Sequence, residues 1–185
     1  MKLLATLIGL ISAFLVLGSS WAGAQEKKIA IVYFTWSGNT RLIAKLIHEK
    51  VGGDLIEIQV VKPYPTDYDV CVAQARDEQR DGVKPALKDP PSSLAQYDTI
   101  ILGFPNWWSS YPRPIATLLD TVDLSGKTVI NFVTHNGSRL GRVTEDLAKA
   151  LPKSTFLEPL AIRQDGGSSL SKDIDAWLAK IGLKK

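Results

Sequence analysis

The chain has 185 residues, of which 45% are hydrophobic and 22% are charged, and its net charge is +3. This length and composition fit one globular domain with a sizeable core. The charges nearly balance, and no basic run is interleaved with aromatic residues, which argues against a nucleic-acid-binding protein. An enzyme or a binding module remains as the broad class.

The first 24 residues differ in composition from the rest of the chain. Lys2 precedes an almost wholly apolar run over residues 3–17, and the small residues Ala22-Gly23-Ala24 follow. This pattern is typical of a secretory signal peptide that is cleaved after Ala24. An uncleaved membrane anchor is the alternative, although the apolar run is short for a bilayer span. We therefore expect residues 25–185 to form one exported, periplasmic domain without a stable membrane span.

Strand-like and helix-like patterns alternate along the rest of the chain. The predicted strands are residues 28–34, 54–60, 99–104, 127–133 and 155–161, the last interrupted by Pro159. The predicted helices are residues 40–51, about 67–80, 112–121, 142–151 and 170–181. Residues 61–97 are otherwise expected to be irregular. Apolar strands separated by helices predict an α/β fold, a three-layer doubly wound sandwich around a five-stranded parallel sheet.

Ligands of such folds bind beyond the carboxyl ends of the strands. The loops that follow the first, third and fourth predicted strands are therefore the candidate site. They read TWSGNT from Thr35, PNWWSSYPRP from Pro105 and THNGSRLG from Thr134.

The first loop places hydroxyl and amide groups at the start of a helix. Backbone N–H groups at a helix N-terminus lack partners and carry partial positive charge, so they can bind a phosphate. The candidate phosphate ligands are Thr35, Ser37, Gly38, Asn39 and Thr40. N-capping by Ser37 or Asn39 alone is the simpler alternative. The loop lacks the glycine patterns of nucleoside triphosphatases and dinucleotide sites.

The second loop is rich in aromatic residues. Trp107, Trp108 and Tyr111 follow Pro105 and Asn106, and aromatic side chains can cover the flat face of a ring system. A hydrophobic plug or a partner-binding surface is the alternative, since Trp is common in both.

The third loop offers polar groups to the edge of such a ring. The candidates are Thr134, His135, Asn136, Gly137 and Ser138. His135 has no evident carboxylate partner, so binding is favoured over acid–base catalysis.

The single cysteine, Cys71, cannot form an internal disulfide and belongs to no cluster with metal-ligand spacing. We expect Cys71 to be a small structural hydrophobe.

A phosphate site, a ring site and a polar ring edge together describe flavin mononucleotide, FMN. The motifs YFTWSGNT, GFPNWWSSYP and FVTHNGSRLGR, in this order and spacing, resemble flavodoxin-like proteins of the short type over Lys28 to Ile181. The resemblance implies the strand order 2-1-3-4-5 without a long insertion in the last strand. It also implies that the first loop holds the FMN phosphate, that Pro105, Asn106, Trp107 and Trp108 line the isoalloxazine ring, and that Thr134 to Ser138 line its other edge.

The chain departs from the flavodoxin pattern in its glycines and its charge. The family often has glycine where this chain has Ser109 and Arg139. Arg113 and Arg142 are close to these loops in the sequence, so we expect a basic rim. Electron-carrying flavodoxins are usually strongly acidic, which guides their docking on basic partners.

These observations favour an FMN-binding redox protein that transfers electrons through a non-covalent flavin. Its expected partner is a redox protein or a small-molecule acceptor. An FMN-dependent NAD(P)H:quinone-type reductase is one alternative, although the sequence has no evident nicotinamide-binding motif. A flavin-free binding module on the same fold is the other.

Overall fold

A seven-stranded sheet between two layers of helices forms the described part of the chain, residues 28–184 of a computed structural model. The strands are β1 Ile29–Phe34, β2 Asp54–Val60, β3 Leu87–Lys88, β4 Thr99–Pro105, β5 Thr128–His135, β6 Thr155–Phe156 and β7 Leu160–Arg163. The helices are α1 Asn39–Val51, α2 Tyr68–Asp81, α3 Arg113–Thr121, α4 Val143–Ala150 and α5 Leu170–Lys180, with a 3₁₀ turn at Gly167–Ser169. The predicted signal peptide lies outside the described residues.

The sheet has the strand order β3-β2-β1-β4-β5-β6, and β7 also pairs with β5. All pairings are parallel except that of β3 with β2. The carboxyl ends of β1, β4 and β5 therefore lie side by side at one edge. This confirms the predicted three-layer α/β fold and the relative order of its five predicted strands.

Two details of the sheet differ from the prediction. The two-residue strand β3 lies within the segment expected to be irregular, where Val60 pairs with Leu87 and Gln59 with Lys88. A pairing this short depends on tertiary contacts and has no sequence period of its own. The predicted fifth strand is divided into β6 and β7, and Pro159 lies between them. Proline has no N–H to donate to a strand ladder, which explains the break.

The two faces of the sheet bury separate hydrophobic cores. Alternate residues of each strand point to opposite faces, so Val32 belongs to one core and Ile31 to the other. The first core includes Cys71 of α2, Leu118 of α3 and Leu147 of α4. The second core packs against α1 and α5. Helices on both faces explain why the central strands are mostly apolar.

One close approach inside the sheet requires glycine. A Cβ atom on Gly103 of β4 would lie 2.1 Å from Cζ of Phe132 on β5. The absence of that atom lets the Phe132 ring lie across the neighbouring strand.

Within residues 28–184, none of the helices has the length and apolar character needed to cross a membrane.

Candidate functional site

A cavity of about 510 Å³ opens at the carboxyl ends of β1, β4 and β5. All three loops selected from the sequence contribute to it, together with α2. Its lining residues are Trp36, Ser37, Asn39, Tyr68, Cys71, Val72, Ala75, Pro105, Asn106, Trp107, Trp108, Ser109, Thr134, His135, Asn136, Ser138 and Gln164. The volume lies in the usual range for small-molecule sites.

The first loop leaves the N-terminus of α1 without a side-chain cap. Gly38 occupies the cap position with a φ of 97°, and no side chain accepts a hydrogen bond from the first turn. The predicted alternative, capping by Ser37 or Asn39, is therefore wrong. Thr35 Oγ1 instead accepts a hydrogen bond from the Gly38 N–H, at 3.1 Å, which shapes the turn before the helix. The first turn of α1 contains no acidic residue, so its N–H groups suit an anion.

The second loop contains a tight turn built from unusual residues. Trp107 and Ser110 exchange backbone hydrogen bonds of 3.0 and 3.1 Å. Between them, Trp108 and Ser109 have φ angles of 53° and 65°. Positive φ at both central positions defines a type I′ turn, which normally takes Gly, Asn or Asp. Other residue types held in this conformation, here Trp108 and Ser109, cost about 1–3 kcal/mol each and often mark functional sites.

The two neighbouring indoles of this turn have different surroundings. The Trp107 ring packs edge-to-face against Tyr64 and Phe34, with centroid distances of 4.9 and 5.5 Å. The Trp108 ring is 48% exposed, and its Nε1–H donates to the Val72 carbonyl of α2 at 3.1 Å. Trp107 therefore supports the cavity from the core side, whereas Trp108 forms a partly exposed wall.

Hydrogen bonds to backbone carbonyls join the second and third loops. The Asn106 N–H donates to the Thr134 carbonyl at 2.8 Å, and Asn106 Nδ2 donates to the Arg139 carbonyl at 2.8 Å. The N–H of Arg142 donates to the Ser109 carbonyl at 2.7 Å. A Cβ on Gly141 would lie 2.7 Å from that same Ser109 oxygen, so only glycine fits there without a shift.

A buried pair of hydroxyls joins the first and third loops. Thr40 Oγ1 lies 2.9 Å from Thr134 Oγ1, and both residues are almost fully buried. Among the predicted ligands, Thr40 and Thr134 thus contact each other. Ser37 is exposed, Asn39 is half-buried, and both line the cavity.

The environment of His135 favours its neutral form. Burial is the main cause that lowers its pKa below the ordinary value of 6.5, and the charges of Arg139 and Arg163 lower it further. His135 Nδ1 accepts a hydrogen bond from the Gly137 N–H at 3.0 Å. Since Nδ1 accepts, the neutral ring carries its proton on Nε2.

The structure brings together most of the predicted site. Ten predicted residues line the cavity, namely Ser37, Asn39, Pro105, Asn106, Trp107, Trp108, Thr134, His135, Asn136 and Ser138. Thr35, Gly38, Thr40 and Gly137 instead shape the loops around it through the contacts given above.

Helix α2 contributes a wall of the cavity that sequence reasoning missed. Tyr68, Cys71, Val72 and Ala75 lie on its cavity side. Burial, with a smaller contribution from the charge of Glu78, raises the pKa of the Cys71 thiol to about 11. Cys71 is buried, which fits the predicted small structural hydrophobe, but its position on the cavity was not predicted. Positions 68, 71, 72 and 75 have helical spacing, but nothing in the sequence shows that this face points to the site.

The Trp36 and Gln164 side chains complete the lining. Trp36 Nε1–H donates to the Pro65 carbonyl at 2.8 Å, and its ring lies 6.2 Å from that of Tyr68. Gln164 Nε2 lies 3.4 Å from Oδ1 of Asn136. The sequence could have indicated that Trp36 lines the cavity, because Trp36 lies between two predicted ligands, Thr35 and Ser37.

Comparisons with known proteins identify relatives over nearly all of the described residues. The family model described as Flavodoxin matches residues 28–181. A flavodoxin from Nostoc sp. strain PCC 7120 is 25% identical over 190 residues, covering 85% of this chain and 96% of that protein.

Solved structures give the same picture. A candidate flavoprotein from Bacteroides uniformis has a TM-score of 0.74 and 34% identity, covering 83% of this chain and 99% of that one. A flavoprotein from Lactobacillus acidophilus, crystallised in complex with FMN, has a TM-score of 0.61 and 25% identity, covering 79% of this chain and 97% of that one.

We predict that His135 makes the protein less stable as the pH falls below about 6.5. The unfolded chain then takes up a proton that the folded chain resists, because the pKa of His135 is lowered in the fold. Urea unfolding at pH 7.5 and 5.5 measures this loss of stability. The H135Q variant should lose less stability over this interval, and R139Q should give an intermediate result. An unchanged pH dependence in H135Q would contradict the assignment.

Proposed function

The chain belongs to the flavodoxin family, and from this membership and its site we infer that it is an FMN-binding redox protein. The observation that carries the inference is the position of the cavity, which joins an uncapped helix N-terminus to a wall of indoles at one edge of the sheet. FMN is a flat ring system with a phosphate on a flexible chain, and it needs both features in one site. When bound, FMN supplies the redox chemistry, and the protein controls its position and access.

The residues present fit the phosphate end of FMN. The first turn of α1 has no side-chain cap and no acidic residue. Gly38 leaves open space where a Cβ would stand. Ser37 and Asn39 extend this surface along the cavity wall, and their side chains make no hydrogen bond to another residue of 28–184. We propose that these groups, with Thr35 and Thr40 holding the loop, bind the phosphate.

The residues present also fit the ring end. Trp108 and Trp36 offer apolar ring faces, and Asn106, His135 and Asn136 offer polar groups on the same cavity. Asn106 Oδ1 is buried and has no donor among residues 28–184, so a donor from a ligand would remove the cost of this unpaired acceptor. We propose that Trp107 and Pro105 support the ring site, and that residues 134–138 face the polar ring edge.

We also propose that the protein is exported. The support is the charged start, the apolar run and the Ala22-Gly23-Ala24 end of the N-terminal segment. An exported redox domain would exchange electrons with partners outside the cytoplasm.

The export proposal predicts a mature protein that begins at Gln25. N-terminal sequencing and intact mass of the protein from periplasmic and membrane fractions test this prediction. A chain that retains residues 1–24 in the membrane fraction would instead support an anchored protein.

FMN titration tests the proposed function directly. We expect bound FMN to lose its fluorescence and the wild-type protein to retain it on purification. The W108A variant should bind FMN about ten- to a hundredfold more weakly, because aromatic stacking contributes about 1–3 kcal/mol per ring. The matched variant W108F keeps a ring face and should retain most of the affinity. A folded wild-type protein that ignores FMN would overturn the proposal.

The phosphate assignment predicts a difference between FMN and riboflavin, which lacks the phosphate. The S37A variant should weaken FMN binding by about ten- to a hundredfold, since a hydrogen bond to a charged group contributes about 1.5–3 kcal/mol. Riboflavin affinity should not change. S92A removes a hydroxyl from an exposed residue before β4 and serves as the control. Equal loss of affinity for both flavins in S37A would place the phosphate elsewhere.

A further inference from the structure

A second concave surface, which we call the basic groove, adjoins the cavity at the carboxyl ends of β1, β4 and β5. It has a volume of about 450 Å³, and its lining includes Trp108, Arg113, Arg142, Asp146 and Lys149. Trp108 lines both the cavity and the groove. The two surfaces are therefore separated by one partly exposed indole.

The helical period places the charges of α4 in the groove. Arg142 precedes the first residue of α4, and Asp146 and Lys149 follow it by four and seven positions. Residues with these spacings share one face of a helix. Since all three line the groove, the face of α4 that they form is turned toward Trp108.

The groove carries an excess of positive charge that the protein leaves unneutralised. Asp146 is its one carboxylate, and it accepts a hydrogen bond from the buried Ser110 hydroxyl at 2.6 Å. Among the ion pairs of residues 28–184, none involves Arg142 or Lys149. Arg41 and Lys50, by comparison, each pair with a carboxylate. Three cations thus surround one carboxylate.

Arg113 is held in place by backbone groups. Its Nε and Nη2 donate to the carbonyls of Val83 and Gly82, at 2.6 and 2.9 Å. These acceptors are uncharged, so they fix the side chain and leave its positive charge in place. A fixed cation costs less ordering entropy when an anion binds than a mobile one does.

We propose that the basic groove binds the phosphate or carboxylate of a small planar organic molecule, whose ring lies against Trp108. The size of the groove suits a small molecule, the cations suit its anionic group, and the exposed indole suits its ring. That this molecule is also the redox partner of the flavin rests on the proposed function. On this proposal the chain would pass electrons from the flavin to small organic anions.

NMR titration of isotopically labelled protein tests the binding. The probes are 2-naphthoate and its uncharged amide, 2-naphthamide, added first to flavin-free protein and then to protein loaded with FMN. We expect naphthoate to shift the NMR signals of the Trp108 indole N–H and of the backbone N–H groups of residues 142–150. We also expect naphthoate to bind roughly fivefold or more tightly than naphthamide. The flavin-free arm keeps its meaning even if FMN does not bind.

Two double variants separate local charge from total charge. R142Q/K149Q should abolish the preference for naphthoate, whereas K62Q/K88Q removes the same charge near the β2–β3 edge and should preserve it. Equal binding of the two probes, an unchanged preference in R142Q/K149Q, or shifts confined to the cavity loops would each overturn the proposal.

The link to the flavin needs a separate measurement. A naphthoquinone carboxylate is mixed with the photoreduced, FMN-loaded protein, and the quinone gains the two electrons and two protons that the reduced flavin loses. R142Q/K149Q should slow this oxidation more than oxidation by the corresponding quinone amide. Equal effects on the two quinones would overturn the redox role of the groove, whereas failure of FMN to bind would overturn the proposed function itself.

Discussion

Thr134 at the end of β5 connects the three loops that form the cavity. Its carbonyl accepts a hydrogen bond from Asn106 of the second loop, and its hydroxyl lies 2.9 Å from that of Thr40 at the start of α1. Thr134 also begins the third loop. Since both hydroxyls are buried, removing either would leave the other without its partner in the interior. The parallel pairing of Pro105 with Thr134 fixes where the second and third loops begin relative to each other along the strands, so the site depends on strand register.

Hydrogen bonds between the second and third loops stabilise the strained backbone of both loops. Ser109 and Arg139 both have positive φ angles, of 65° and 51°, in the region that favours glycine. Here the Arg142 N–H binds the Ser109 carbonyl, and Asn106 Nδ2 binds the Arg139 carbonyl. These hydrogen bonds offset the conformational cost of the side chains. The turn in return presents the Trp108 indole to α2, which closes one side of the cavity.

The sequence predicted those features of the fold and site that depend on local pattern. Strand and helix periods gave the doubly wound fold, and loops at strand ends gave most of the cavity lining. Nothing local could show that α2 covers the cavity, because Cys71 and Val72 reach it only through tertiary packing. The backbone at Gly38 decided between capping and an open helix N-terminus, and that choice depends on φ angles rather than on residue types. Pairing of Leu87 with Val60 was hidden for the same reason, since two residues have no detectable period.

Charge distinguishes this site from a simple apolar pocket. Burial, and also the charges of Arg139 and Arg163, lower the pKa of His135, so this side of the cavity disfavours an added positive charge. Burial by itself would disfavour an added negative charge equally. The cations of the third loop and of the basic groove break this symmetry, because they attract an anion from either side of the indole wall. Arg139, Arg142 and Lys149 are exposed, so salt screens this attraction. The placement of these charges consequently favours an anionic ligand over a cationic one, and the apolar walls of the cavity limit the size of this preference.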